Sequence, residues 1–200
     1  MEAALLEARH LACWRSERLV FANVCFALAP GEALLLTGAN GAGKSSLLRV
    51  LAGLLPAAEG ELLWAGADAL ADPVAHGTRL CYLGHRDGLK PALTAAENLA
   101  FAAARRGGEV AEALAALGLD ALADLPARVL SSGQRRRLAL ARLALAPVPL
   151  WLLDEPSVGL DAAAVARLGP LFAAHRARGG MIVAATHLAL PLPAARELRL

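Results

Sequence analysis

Long apolar runs are missing from this chain, although its composition is apolar. Hydrophobic residues make up 57% of it, carried mostly by Ala and Leu, and the mean hydropathy is +0.48. The longest uninterrupted stretches, such as Val148 to Leu153 with its proline and Met181 to Ala185, fall far short of the roughly 18 residues that a helical membrane span needs. A soluble chain is therefore expected. The first residues, Met1-Glu2-Ala3-Ala4-Leu5-Leu6-Glu7, are acidic and lack the basic start and apolar centre of a signal peptide, so a cytoplasmic location is expected. Lysine is scarce, since all but two of the 20 basic residues are Arg. Against 18 acidic residues the formal net charge is only +2, which gives no electrostatic case for nucleic acid or an anionic membrane surface as partner. Cysteine is limited to Cys13, Cys25 and Cys81, widely spaced and without a C-x-x-C pair. That excludes a disulfide framework or zinc ribbon and predicts three buried, reduced thiols. Charged residues, at 19% of the 200, are too few for a disordered chain. The length fits one domain with its own core and room for a subdomain.

What is present is a glycine loop in a telling context. The apolar run Ala33-Leu34-Leu35-Leu36-Thr37 leads into Gly38-Ala39-Asn40-Gly41-Ala42-Gly43-Lys44-Ser45 and then into Ser46-Leu47-Leu48-Arg49-Val50-Leu51. A strand, a turn of the form G-x-x-x-x-G-K-[ST] and a helix make a phosphate-binding loop. Glycines allow successive N–H groups to converge on anionic oxygens at a helix N-terminus. In this pattern Lys44 reaches the β- and γ-phosphates, and Ser45 puts its hydroxyl on Mg²⁺. The alternative is a glycine-rich turn with a solvated lysine.

Upstream, residues 4–29 alternate loosely and read as strands of a half-buried antiparallel sheet, closed by Pro30-Gly31. Trp14 lies at their first turn, beside Arg15-Ser16-Glu17-Arg18; it is either a partly buried aromatic or a flat surface for adenine. Downstream, a helix is expected from Lys44 to about Leu54, then a short strand Glu61–Trp64 between Gly60 and Gly66, and a buried strand Arg79–Leu83 that delivers Gly84-His85 to a sheet edge. At Thr94-Ala95-Ala96-Glu97 a capping box starts a helix. Alanine and leucine at helical spacing then continue to about Leu125, broken by Gly107-Gly108 and Gly118. Leu130-Ser131-Ser132-Gly133-Gln134 precedes a helix predicted over 135–145 and stopped by Pro147. Its Ser-Ser-Gly start offers N–H groups to an anion, while Arg135-Arg136-Arg137 reads as a solvated helix face.

The strand Pro149–Leu153 ends in Asp154-Glu155. Adjacent carboxylates at the end of an apolar strand are costly to desolvate without a cation or donors. Beside a phosphate loop, Asp154 completes the Mg²⁺ shell through water, and Glu155 acts as base or orienter for the attacking water; the alternative is an acidic pair capping a helix. Ser157-Val158-Gly159-Leu160-Asp161 leads to a helix capped by Asp161. The last predicted strand, Met181–Ala185, ends in Thr186-His187, so a third strand aims a polar group at the same edge.

Together these motifs resemble the ATP-binding subunits of ABC transporters over about Leu5 to Arg196: Gly38–Ser45 as Walker A, Leu130–Gln134 as signature, Leu150–Glu155 as Walker B, Gly159–Asp161 as D-loop and Thr186-His187 as switch histidine. The resemblance implies an α/β fold of the P-loop NTPase, ABC type: a mixed sheet core, an antiparallel β subdomain and an inserted α-helical subdomain. It makes residues 1–200 a single ABC ATPase domain, with 1–90 and 147–200 as core and 91–146 as the helical insertion. It implies ATP and Mg²⁺ as ligands. The nucleotide would be bound by Gly38, Ala39, Asn40, Gly41, Ala42, Gly43, Lys44, Ser45, Ser46 and Trp14, and Mg²⁺ by Ser45 and Asp154. Glu155, His187 and Lys44 would be catalytic. Ser131, Ser132, Gly133 and Gln134 would meet the ATP of a second subunit, so a homodimer is implied, with His85 and Asp161 in coupling. Ser132 departs from the family's glycine.

A narrower similarity rests on Tyr82-Leu83-Gly84-His85, Gly88-Leu89-Lys90, Leu93–Leu99, Pro149-Leu150-Trp151 and Gly179-Gly180-Met181. These resemble the ATP-binding subunits of the cytochrome c maturation system, in which His85 stands at the position of the usual Q-loop glutamine. This implies an integral membrane subunit as partner, haem or a haem-loaded chaperone as cargo, no nucleic acid, and a peripheral place on the cytoplasmic face of the bacterial inner membrane. The alternatives are an ATPase of another small-substrate exporter and a soluble ATP-dependent clamp. The chain lacks the long heptad insertion, second ATPase half and basic stripe that a clamp tends to need.

Overall fold

The computed structural model describes residues 5–15, 17–145 and 148–200, so Ala4, Ser16 and the expected helix stop at Pro147 lie outside the described residues. The chain opens with strands β1 (Leu6–Arg15), β2 (Arg18–Leu28) and β3 (Ala33–Thr37), then helix α1 (Lys44–Leu51), strands β4 (Glu59–Trp64) and β5 (Ala67–Asp68), and helix α2 (Pro73–Thr78). Strand β6 (Leu80–Leu83) precedes the helices α3 (Ala95–Arg106), α4 (Val110–Ala116) and α5 (Ser132–Ala141). Strand β7 (Leu150–Asp154), helix α6 (Ala162–Ala177) and strands β8 (Met181–Ala185) and β9 (Arg196–Arg199) complete it. Among the described residues no helix is long and apolar enough to cross a membrane.

The strands divide into two sheets. β2-β1-β4-β5 pair antiparallel, with Leu6 opposite Leu28 and Trp14 opposite Leu19 in the first hairpin. β6-β7-β8-β3-β9 pair only in parallel. The antiparallel strands thus form a layer of their own beside an all-parallel sheet. β7 and β8 read as continuous apolar runs because both faces of the parallel sheet are covered. Alternate side chains of these strands serve different cores. Leu150 and Leu152, with Met181, Val183 and Ala185, pack against α1 and the antiparallel layer. Trp151 and Leu153, with Ile182 and Ala184, pack against residues of α3, α4, α5 and α6.

Local signals set several boundaries. α3 begins with the expected capping box, in which the Thr94 hydroxyl accepts from Glu97 N–H and the Glu97 carboxylate accepts from Thr94 N–H. α5 begins at Ser132 rather than at Arg135, because Ser131 and Gln134 form a second capping box. Ser132, Gly133 and Gln134 therefore sit inside the first helical turn, and Ser131 alone is the cap. α2 and β9 carry no sequence prediction; α2 is short, and the exposed, charged Arg196-Glu197-Leu198-Arg199 conceals an edge strand beside β3. The three-thiol prediction holds for Cys13 and Cys81, which are buried, but Cys25 is exposed. The period of two on β2 turns Val24 and Phe26 inward and Cys25 outward.

This topology gathers four chain segments. In a parallel sheet every C-terminal strand end lies on one edge. In the order of the strands these are Gly84-His85 after β6, Asp154 ending β7, Thr186-His187 after β8 and the glycine loop after β3.

Candidate nucleotide-binding site

The glycine loop closes on a cavity of about 410 Å³ lined by Asn40, Gly41, Gly43, Lys44, Ser45, Ser46, Glu155 and the hairpin residues Arg15, Arg18, Leu19 and Val20. Glycine is required at two places. Gly38 has φ +134, and a Cβ there would lie 2.6 Å from the Leu200 carbonyl oxygen. Gly43 has φ +103, and its Cβ would lie 2.7 Å from Val20 Cγ1, so β2 can approach the loop only because no side chain intervenes. Lys44 is buried and donates from Nζ to the carbonyls of Gly38, at 2.7 Å, and Ala39, at 3.0 Å. The ammonium is thereby stretched back across its own loop.

Ser45 Oγ donates to Asp154 Oδ1 at 2.9 Å, joining the start of α1 to the end of β7. Asp154 is 2% exposed, and its other oxygen, Oδ2, is buried without a hydrogen-bond partner. A buried carboxylate oxygen with no donor is costly, and hard oxygens from a hydroxyl and a carboxylate are the donor set that Mg²⁺ takes. These residues fit that ion.

Glu155 follows with φ +49, a left-handed conformation rare outside glycine. Its N–H donates to the Ala185 carbonyl at 2.8 Å. Its carboxylate is held by His187 twice: Oε1 lies 3.0 Å from His187 Nδ1, and Oε2 accepts from His187 N–H at 3.3 Å. A carboxylate partner selects the tautomer with the proton on Nδ1. The turn that aims His187 is set by Thr186, whose hydroxyl accepts from Leu188 N–H at 3.0 Å and donates to the Leu188 carbonyl at 2.9 Å. Asp161 caps α6 by accepting from Ala164 N–H at 2.7 Å.

Trp14 is not among the residues that line this cavity. It is 52% exposed and pairs across the hairpin with Leu19, which does line the cavity. None of Ser131, Ser132, Gly133 and Gln134 lines the cavity either; Gly133 instead lies against the Gly159 carbonyl, 3.0 Å from where a Cβ would stand. His85 is exposed at the end of β6. The arginine run is not a solvated face. Arg136 is buried and donates from Nη2 to the Asp154 and Glu155 carbonyls at 2.7 and 2.8 Å, and from Nη1 to the Gly84 carbonyl at 3.1 Å and Asp87 Oδ1 at 3.2 Å. Arg137 donates to the Leu117 and Gly118 carbonyls at 2.9 and 3.1 Å, and Arg135 to the Leu130 carbonyl. The signal for Arg136 was the helical period: it stands three and four residues before the buried Ala139 and Leu140. Arg15 and Arg18, also unforeseen, flank the phosphate loop because the β1–β2 turn folds over it.

A parallel sheet with a phosphate loop, a carboxylate pair and a histidine on one edge defines an ATPase of the P-loop class. The chain belongs to the ABC transporter family, which it matches over residues 21–158, and it is an ATP-binding, ATP-hydrolysing domain of that family. Within the family it is similar to the cytochrome c biogenesis ATP-binding export protein CcmA of Paramagnetospirillum magneticum, 51% identical over 207 residues covering 100% of this chain and 95% of that protein. The protein of the same name from Rhodospirillum rubrum is 54% identical over 200 residues, covering 98% and 86%. Among solved structures, one described as the ATP-binding subunit of an ABC transporter superposes with a TM-score of 0.82 at 28% identity, covering 92% of this chain and 80% of that one.

Proposed function

We propose that this chain is the ATPase subunit of a membrane complex acting in c-type cytochrome biogenesis, coupling ATP binding and hydrolysis to haem export or to release of a haem-loaded chaperone. The run of contacts from Ser45 through Asp154 and Glu155 to His187 carries the hydrolytic part. Relatives that bear the name of a cytochrome c biogenesis export protein support the cellular role.

In this reading the N–H groups of Gly38, Ala39, Asn40, Gly41, Ala42, Gly43, Ser45 and Ser46 cradle the phosphates of ATP. Lys44 gives up part of its hold on the Gly38 and Ala39 carbonyls to reach them. A bound Mg²⁺, held by Ser45 Oγ and through water by Asp154, would neutralise charge on the β- and γ-phosphate oxygens. Glu155 takes the proton of the attacking water, and His187 holds its carboxylate in place while its exposed ring faces the γ-phosphate. The adenine lies against the hairpin residues Arg15, Leu19 and Val20.

The cavity holds no residue of the signature stretch. Ser131, Ser132, Gly133 and Gln134 therefore act on the ATP of a second copy, with Asp161 close to the shared interface, and a homodimer is the hydrolysing species. Residues 91–146 act as one helical unit, and the exposed His85 at its border with the core contacts the membrane subunit. In this reading the chain sits on the cytoplasmic face of the inner membrane and takes no nucleic acid as partner. The test is reconstitution of the chain with its membrane subunit in haem-loaded vesicles. ATP-dependent haem loss supports export, and chaperone release with haem retained supports the second form. ATP hydrolysis uncoupled from both would overturn the cellular role.

A further inference from the structure

The buried guanidinium of Arg136 touches two parts of the site that are otherwise separate. One of its nitrogens, Nη2, donates to the carbonyls of Asp154 and Glu155, in the two peptides that flank the Glu155 Cα, at 2.7 and 2.8 Å. The other, Nη1, donates to the Gly84 carbonyl and to Asp87 Oδ1, at 3.1 and 3.2 Å, in the loop after β6 that carries His85. The side chain is 7% exposed and that of Asp87 27%. Both groups belong to the chain outside α5, so the helix that begins at the signature stretch carries a fork with one prong in each neighbouring loop.

Glu155 needs such support. Its left-handed backbone, φ +49, costs on the order of 1–3 kcal/mol and persists only where surroundings hold it. Its N–H is fixed by the Ala185 carbonyl and its carbonyl by Arg136 at 2.8 Å and, more loosely, by the Val158 N–H at 3.3 Å, while His187 holds only the carboxylate. A guanidinium is planar and rigid, so displacing one prong displaces the other. An ammonium on a flexible stem does not transmit motion in this way.

From this arrangement we infer that Arg136 is a positioning residue for Glu155, and that its pairing with Asp87 links the placement of Glu155 to the position of the loop 84–88. The inference rests on the reading of Glu155 as the base. When the loop keeps Asp87 against Arg136, the peptide after Asp154 is locked and the carboxylate is aimed; when the loop moves away, the guanidinium follows and Glu155 relaxes. Arg136 itself touches neither substrate nor reacting atoms.

The test compares Arg136→Lys, Arg136→Ala and Asp87→Asn in the full-length chain, measuring kcat, KM and ATP affinity together with thermal stability. Misplacement of a catalytic group by about 1 Å costs up to a hundredfold, so Arg136→Lys should lower kcat by roughly ten- to a hundredfold with KM and ATP affinity within about twofold. Asp87→Asn should lower kcat several-fold, and the double variant less than the product of the two, since both act on one fork. Millimolar guanidinium should restore part of the kcat of Arg136→Ala, which a general loss of folding would not allow. Should Arg136→Lys fail to fold, Asp87→Asn and the guanidinium rescue decide. Wild-type kcat in Asp87→Asn together with no rescue, or additive effects of Arg136→Lys and Asp87→Asn, would overturn the inference. A Glu155→Gln variant separates the two layers: turnover retained there removes the base, whereas its loss beside a normal Arg136→Lys removes the fork alone.

Discussion

His175 lies in the last turns of α6 with its ring stacked flat on Trp151, the centroids 3.7 Å apart and the planes 7° from parallel. Its Nε2 lies 3.2 Å from the Met181 carbonyl, to which it donates. Gly180 leaves the space for the ring, since a Cβ there would fall 2.2 Å from Cε1. Burial is the main reason that its pKa drops from 6.5 to about 4, and the nearby Arg178 adds to the effect. The unfolded chain therefore takes up this proton near pH 6.5, whereas the folded chain resists until about pH 4. Stability from neutral His175 is fully present above pH 6.5 and is lost as pH falls toward 4, at up to about 1.4 kcal/mol per unit. At pH 5 the loss relative to pH 7.5 comes to roughly 2 kcal/mol, or some 4–8 °C in Tm for a domain of this size. His175→Gln keeps a donor for Met181 but cannot titrate. It should be less stable than the wild type at pH 7.5, by about 0.5–1.5 kcal/mol for the lost stack, yet should lose correspondingly less on acidification. The assay is thermal unfolding of both proteins without nucleotide from pH 7.5 to 4.5. Parallel Tm curves for wild type and variant would refute the reasoning.

Three further outcomes follow from the site. Lys44→Ala should weaken ATP binding by roughly ten- to a hundredfold, the value of a charge-assisted hydrogen bond of about 1.5–3 kcal/mol; equilibrium binding within twofold of wild type would contradict this. His187→Ala removes the ring from Glu155 Oε1 and leaves only the backbone N–H on Oε2; it should lower kcat by at least about tenfold while changing ATP and ADP affinity little, so equal losses in affinity would count against its role. Ser132→Gly should leave turnover unchanged or raise it, measured as steady-state phosphate release, and a large loss would show that the hydroxyl is used.

The sequence made some of this legible for physical reasons that can be named. The phosphate loop, the capping box at Thr94–Glu97 and the apolar strands β7 and β8 are local: their residues interact within a few positions or announce burial on both faces, so spacing alone reveals them. The edge that collects Asp154, Glu155 and His187 follows from parallel topology once three strands are seen to end in polar groups. Other features depend on distant chain segments. Arg15 and Arg18 are ordinary charged residues in the sequence, and only the path of the hairpin over the loop brings them to the cavity. Three consecutive arginines look like a solvated face until α5 is docked and Arg136 meets carbonyls 18 and 19 residues away. β9 is an edge strand whose charged residues carry no apolar alternation, and Cys25 looked buried only because its type usually is.

The central claim is that Glu155, held by His187, is the base of an ATPase that works as a dimer. The most direct measurement is made on Glu155→Gln: steady-state phosphate release together with light scattering in Mg·ATP. An amide keeps the shape of the carboxylate but cannot take a proton, so phosphate release should fall to background while ATP remains bound and the mass doubles. Phosphate release at the wild-type rate, or a monomer that binds ATP without associating, would contradict the account.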